Sequence, residues 1–348
     1  MRQSLTTIVG KTKRKTSLSF TADDVEERSR RIEERYISTT PYKILDAPGV
    51  LNDYYLNILD WSGDIVAIAL KDAVYTYNVE TKAVNELHEI ENGYISSVKI
   101  DENDVYIGES TGSIKVYNLE KEECVVNYKQ IHNTRVGSIS INRNIITSGE
   151  KEGLIINSDR RINKEAGRFE GHKHEVCGLK WSPNREYLAS GSNDNSVKIW
   201  KMGSPMGKSL NGHSSAVKAL DWCKWKSNIL CTGGGSKDKT LRVWDAMGGK
   251  EIKKINTDSQ ICSLHYLTKY KELVTSHGFL QNDLKLWRAS GGIKLIKSFG
   301  MHDSRVLNTV LSPDETNLVS LGADESLKFW KLDEYDKPQI KRSSLNIR

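Results

Sequence analysis

Residues 171–200 read GHKHEVCGLKWSPNREYLASGSNDNSVKIW, and this stretch decides the fold. It sets a Gly-His pair, Ser190, Asp194 and Trp200 at fixed offsets, and it closes on VKIW, a short β-branched run ended by an aromatic. Runs of the same kind (VYTY, IKVY, LIIN, LRVW, LKLW, LKFW) end at Tyr77, Tyr117, Asn157, Trp244, Trp287 and Trp330. With Trp200 they make seven marks at intervals of 40, 40, 43, 44, 43 and 43 residues. A period of roughly 42 residues with an aromatic closing a strand marks WD-repeat blades of four strands each. The reading is all-β: a seven-bladed WD-repeat β-propeller with short flexible N- and C-terminal tails. Such a disc is normally a platform, so the functional question is what it binds.

The seven periods take up most of the 348 residues, which leaves one large domain and two tails. Residues 1–40 are expected to form a flexible arm with a possible short helix over 22–35, residues 41–335 the propeller, and residues 336–348 a flexible tail. Thr21 is the candidate N-cap, with Asp23, Asp24, Glu26 and Glu27 in the first turns and arginines beyond them. Only Val25, Ile32 and Tyr36 make its apolar face, so a solvated, marginal helix is favoured over a docking one. Residues 43–47 are expected to serve as the outer strand of blade seven, fastening the ring so that no sheet edge stays open.

Mean hydropathy is −0.53 and no apolar run approaches 18 residues, which argues against a membrane span. The N-terminus shows no apolar core of a secretory signal. Five cysteines without CxxC spacing argue against disulfides or zinc and for a reducing compartment. Net charge is +6, but residues 1–40 hold nine Lys/Arg against six Asp/Glu and residues 331–348 five against three. The propeller is therefore nearly neutral and lacks the basic stripe expected of a nucleic-acid platform.

His172, Ser190 and Asp194 could be taken for a hydrolase triad. With Trp200, however, the set returns as His213, Thr232, Asp238 and Trp244, and again as His302, Ser320, Asp324 and Trp330. An enzyme needs one active site, so these are read as structural hydrogen-bond chains, one per blade. Blades one to three lack the full set and are expected to lean on apolar packing. The histidines show no metal-ligand spacing and the glycine runs no phosphate-loop pattern, so neither metal nor cofactor is expected.

Residues that the repeat does not require are more informative. Asn193, Asn195, Ser236, Gln260 and Arg305 lie in turns, and Asp53 lies in the NDYY segment ahead of blade one. Facing one mouth, they would suit a short peptide carrying both charges and an amide; taken singly, such residues are more often turn formers. Asp46 and Glu325 would meet at the seam of the ring, with Leu45 opening an apolar pocket beside them. The alternative there is two surface acids balancing nearby lysines.

The stretches KILDAPGVLNDYYLN, GYISSV, SGSNDNSVKIW, SHGFLQNDLKLW and the terminal Ile-Arg resemble the Fizzy family, the co-activators of the anaphase-promoting complex. The likeness covers about residues 36–348 and favours the mitotic branch over the Fizzy-related one. It implies a non-enzymatic degron receptor and ligase activator. KEN-box peptides would be read through Asp53, Asn193, Asn195, Ser236, Gln260 and Arg305, and destruction-box peptides through Leu45, Asp46 and Glu325. Ile347 and Arg348 would dock on the ligase. Ser236 stands where relatives carry Thr, which keeps the hydroxyl. The arm, shortened to about 40 residues, shows no C-box of the DR(F/Y)IPxR type and no KILR-type element. The implied partners are subunits of the anaphase-promoting complex, degron-bearing substrates such as cyclins and securin, and spindle-checkpoint proteins, for a monomeric propeller of nucleus and cytoplasm. A generic WD-repeat scaffold without degron specificity is the alternative.

Overall fold

The computed structural model describes residues 35–204, 206–279 and 281–335. Every element among them is a β-strand. Blade one is Leu59–Ser62, Ile65–Leu70, Ala73–Asn78 and Val84–Glu89, four strands paired antiparallel in chain order. Blades two to six repeat that order, and their innermost strands are Ile95–Asp101, Val136–Asn142, Val176–Trp181, Val217–Trp222 and Ile261–Leu267. All seven marks fall in the third strand of their blade, from Tyr77 in Ala73–Asn78 to Trp330 in Ser326–Lys331.

Blade seven has only three strands of its own, Val306–Leu311, Asn317–Gly322 and Ser326–Lys331. Its fourth is Lys43–Asp46, antiparallel to Ser326–Lys331 with Lys43 opposite Phe329 and Asp46 opposite Ser326. The ring is thus fastened by a strand nearly 300 residues away in sequence. One compact unit spans Ile37–Glu334. Of the helix expected over 22–35, only Arg35 is described, and it belongs to the short strand Arg35–Tyr36; the rest of the arm and the tail with Ile347 and Arg348 lie outside the described residues.

Inner strands such as Val217–Trp222 are buried along their whole length, whereas outer strands such as Lys250–Asn256 are largely exposed. Apolar side chains of neighbouring blades meet face to face, and Trp200, Trp222, Trp244 and Trp330 are almost fully buried. Near the axis the blades touch backbone to backbone. A Cβ at Gly178 would stand 2.3 Å from the Lys218 carbonyl oxygen, so only glycine fits at that contact.

The three expected tetrads are formed. Trp200 Nε1 donates to Ser190 Oγ at 2.8 Å, and His172 joins Ser190 Oγ at 2.7 Å and Asp194 at 2.9 Å. Trp244, Thr232, His213 and Asp238 repeat the chain in blade five. Trp330, Ser320, His302 and Asp324 repeat it in blade seven. Burial works against ionisation of Asp194 and Asp324, but hydrogen bonds from His172 with Ser196, and from His302 with Ser326, hold both well below the usual carboxylate range.

The poorer blades are less apolar than the sequence suggests. In blade three His132 reaches Ser148 Oγ at 2.7 Å, with the Glu150 carboxylate 3.5 Å away in place of Asp. Blade two borrows its histidine from the outer strand of blade one: Tyr117 OH meets His88 Nδ1 at 2.8 Å beside the Lys115–Glu109 pair at 3.0 Å. Blade six draws its histidine from the strand itself: His277 and Trp287 Nε1 both reach Thr275 Oγ1 at 2.8 Å.

Candidate functional site

The segment 51–57 crosses the central mouth without regular structure, and its polar groups bind it to blades on several sides. Asn57 Nδ2 donates to the carbonyls of Gly137 and Cys177, both at 2.8 Å. Tyr54 OH donates to the Ile261 carbonyl at 3.2 Å, and Tyr55 OH to Asn193 Oδ1 at 3.0 Å. Beneath it Lys218 Nζ donates to the Leu56 carbonyl at 2.7 Å and the Leu307 carbonyl at 3.0 Å. Burial pushes the Lys218 pKa down to about 8.

Asp53, Ser236, Gln260 and Arg305 line one cavity of about 350 Å³ at this mouth, with Asn52 and Phe279. Arg305 donates from Nε to Asn52 Oδ1 and from Nη2 to the Asn52 carbonyl, both at 2.6 Å, and its guanidinium lies 5.1 Å from the Phe279 ring centre. Its partners are neutral, so its charge is uncompensated by them. Gln260 is 4% exposed and its Oε1 has no hydrogen-bond donor among the described residues. A buried acceptor left open costs free energy until a donor arrives. Asn193 joins the group through Tyr55; Asn195 is exposed and outside the cavity lining.

Asp53 is held from behind. Arg135 Nη1 donates to Asp53 Oδ2 at 2.8 Å and to Tyr94 OH at 3.0 Å, while Nε and Nη2 grip both oxygens of Glu175 at 2.7 and 2.6 Å. Despite burial, the hydrogen bonds that Arg135 donates to Glu175 and Tyr94 raise its pKa further, so the guanidinium is permanently charged. Arg135, Glu175 and Tyr94 were missed from sequence, although a signal for them existed. In blades two to seven the residue just before the first Ile or Val of the innermost strand is Tyr94, Arg135, Glu175, Ala216, Gln260 or Arg305. That one register supplies Ala216, Gln260 and Arg305 to the cavity lining, and Tyr94, Arg135 and Glu175 to the brace behind Asp53.

At the seam, Leu45 and Asp46 line a cavity of about 550 Å³ with Ile68, Leu70, Tyr75 and Leu327. Glu325 stands next to Ser326, the register partner of Asp46, at its rim; Glu325 Oε1 accepts from the Gly49 amide at 3.1 Å. Glu325 and Asn195 occupy the same left-handed turn position of their blades, with φ of 59° and 67°. Among the described residues no group of three or more His, Cys, Asp or Glu could hold a metal ion.

The fold and its two concave sites define a WD-repeat propeller of the adaptor kind. Residues 45–330 match the CDC20/Fizzy WD40 domain, and the chain belongs to that family. It is 40% identical to the WD repeat-containing protein slp1 of Schizosaccharomyces pombe over 89% of its own length and 64% of the relative's. To the anaphase-promoting complex subunit cdc20 of Dictyostelium discoideum it is 38% identical, over 92% and 66% of the two lengths. The chain thus spans just under two thirds of each. A chain in a crystal structure of the mitotic checkpoint complex superposes with a TM-score of 0.84 at 37% identity, covering 96% of this chain and 99% of that one.

Proposed function

We propose that the protein is a substrate-recognition and activator subunit of the anaphase-promoting complex, binding KEN-box and destruction-box peptides of mitotic regulators without catalysing any step itself. The observation that carries this is the mouth. An uncompensated guanidinium (Arg305), an unfilled amide acceptor (Gln260) and a braced carboxylate (Asp53) share one cavity, which suits a Lys-Glu-Asn sequence. Arg305 would take the glutamate, Gln260 Oε1 the asparagine amide and Asp53 the lysine. At the seam, Asp46 and Glu325 beside an apolar cavity suit a motif pairing an arginine with a leucine. Kinship with anaphase-promoting complex cofactors supports the same assignment. Two weak contacts on one rigid disc raise the effective concentration of a tethered substrate near the ligase, in nucleus or cytoplasm.

Fluorescence anisotropy with one KEN peptide and one destruction-box peptide tests it. Arg305→Ala is expected to weaken the KEN peptide about tenfold or more while sparing the other, and Asp46→Ala the reverse. Binding of neither peptide by the unmutated chain would leave only a generic scaffold.

A further inference from the structure

A third concavity lies between blades five and six, on neither site above. Its cavity of about 410 Å³ has an apolar floor of Trp225, Tyr266 and Ile293, with the Trp225 and Tyr266 rings packed edge to face 5.3 Å apart. Ile252, on the outer strand Lys250–Asn256 of blade five, is 54% exposed at its wall. The lining includes Lys226, Lys253 and Lys271 and no carboxylate. None of these three lysines has an acidic partner among the described residues, whereas the nearby Lys224 and Lys269 are paired with Glu315 and Asp333, each at 2.5 Å. An exposed isoleucine over an aromatic floor, ringed by unpaired cations, is a surface with both an apolar and an electrostatic demand.

We propose that this groove docks a short acidic segment of a partner protein, with one or two bulky apolar side chains on the Trp225–Tyr266–Ile293 floor and Asp or Glu against the three lysines. Charge selects that occupant. Both ends of this chain, residues 1–34 and 336–348, carry more Lys and Arg than Asp and Glu, so its own ends have the wrong sign for the groove. Affinity comes from the apolar anchors, while the lysines set sequence preference, orientation and salt dependence.

The probe is a set of synthetic ten-residue peptides with a central Leu-x-Phe flanked by Asp and Glu. Two control sets replace the acids by Lys or the apolar pair by Ala. Titrated against the full chain, the acidic set is expected to bind and both controls to fail, with affinity falling about tenfold between roughly 50 and 300 mM salt. Ile252→Asp, and the pair Lys253→Glu with Lys271→Glu, should each weaken binding at least about tenfold. All three positions are exposed, so the melting temperature should not move. Arg305→Ala should leave this binding intact, which separates failure here from failure at the mouth. The proposal is overturned if no acidic peptide binds, if acidic and basic sets bind alike, or if the groove variants bind as well as the parent. It is also overturned if light scattering shows that the groove holds a second copy, lost in Ile252→Asp.

Discussion

Arg135 shows how much of the mouth depends on one side chain. Its side chain is 13% exposed and that of Glu175 4%, so the pair is largely removed from water and survives on geometry. Arg135→Ala would strand the Glu175 carboxylate and release Asp53. The expected loss is about 3–5 kcal/mol in denaturant unfolding, with the KEN peptide weakened as well. Replacing both partners by Met should restore most of the stability but not the peptide binding, since Asp53 stays unbraced. A single mutant costing under about 1 kcal/mol would show that the pair is solvated rather than buried. The tetrads could be read from sequence because three blades repeat them at nearly the same offsets. Arg135 and Glu175 share a strand register with Gln260 and Arg305, but the residue type there changes from each blade to the next, so no repeated motif marks them. Asn195 and Glu325 were read as binding residues, yet their left-handed φ shows that the turn itself makes a demand at that position.

At the scale of elements, the innermost strands decide how the blades hold one another, and a buried histidine among them sets an acid limit. His265, on Ile261–Leu267, donates from Nε2 to the Thr309 carbonyl at 2.8 Å, joining blade six to blade seven. Burial pushes its pKa down from 6.5 to about 4. The unfolded chain takes up this proton at higher pH than the folded one. Stability is therefore complete above about pH 6.5 and falls as pH drops toward 4, by up to about 3 kcal/mol. The tetrad carboxylates, also depressed, extend the loss below about pH 4. His265→Gln should make the limb between pH 6.5 and 4 shallower in urea titrations without abolishing it, since burial also pushes His277 and His213 down, and should leave the lower limb; an unchanged upper limb would assign it to those two alone. Strand count and order were evident from turn spacing and the closing aromatics. The polar wiring of blades two and three was not, because His88 and His132 sit outside the offsets of the complete tetrads and find Tyr117 and Ser148 only after folding.

For the whole molecule, closure and recognition share one stretch of chain. Lys43–Asp46 completes blade seven, Leu45 and Asp46 line the seam, and Asp53 with Tyr54 and Tyr55 reaches the mouth a few residues later. The sequence located this fastening strand because a propeller without it leaves an open edge. A chain lacking residues 1–47 should therefore expose the Ser326–Lys331 edge. It is expected to melt at least about 10 °C lower and to associate as concentration rises, measured by calorimetry and light scattering. A control lacking only residues 1–34 retains every described strand and should keep the parent's melting temperature. If closure also organises recognition, the longer truncation loses both peptides together, the seam directly and the mouth because the segment 51–57 is no longer anchored at its start. Retained KEN affinity in a destabilised truncation would mean that Tyr54, Tyr55 and Asn57 hold the mouth without help from the seam. The ring would then be needed for stability and for one ligand only.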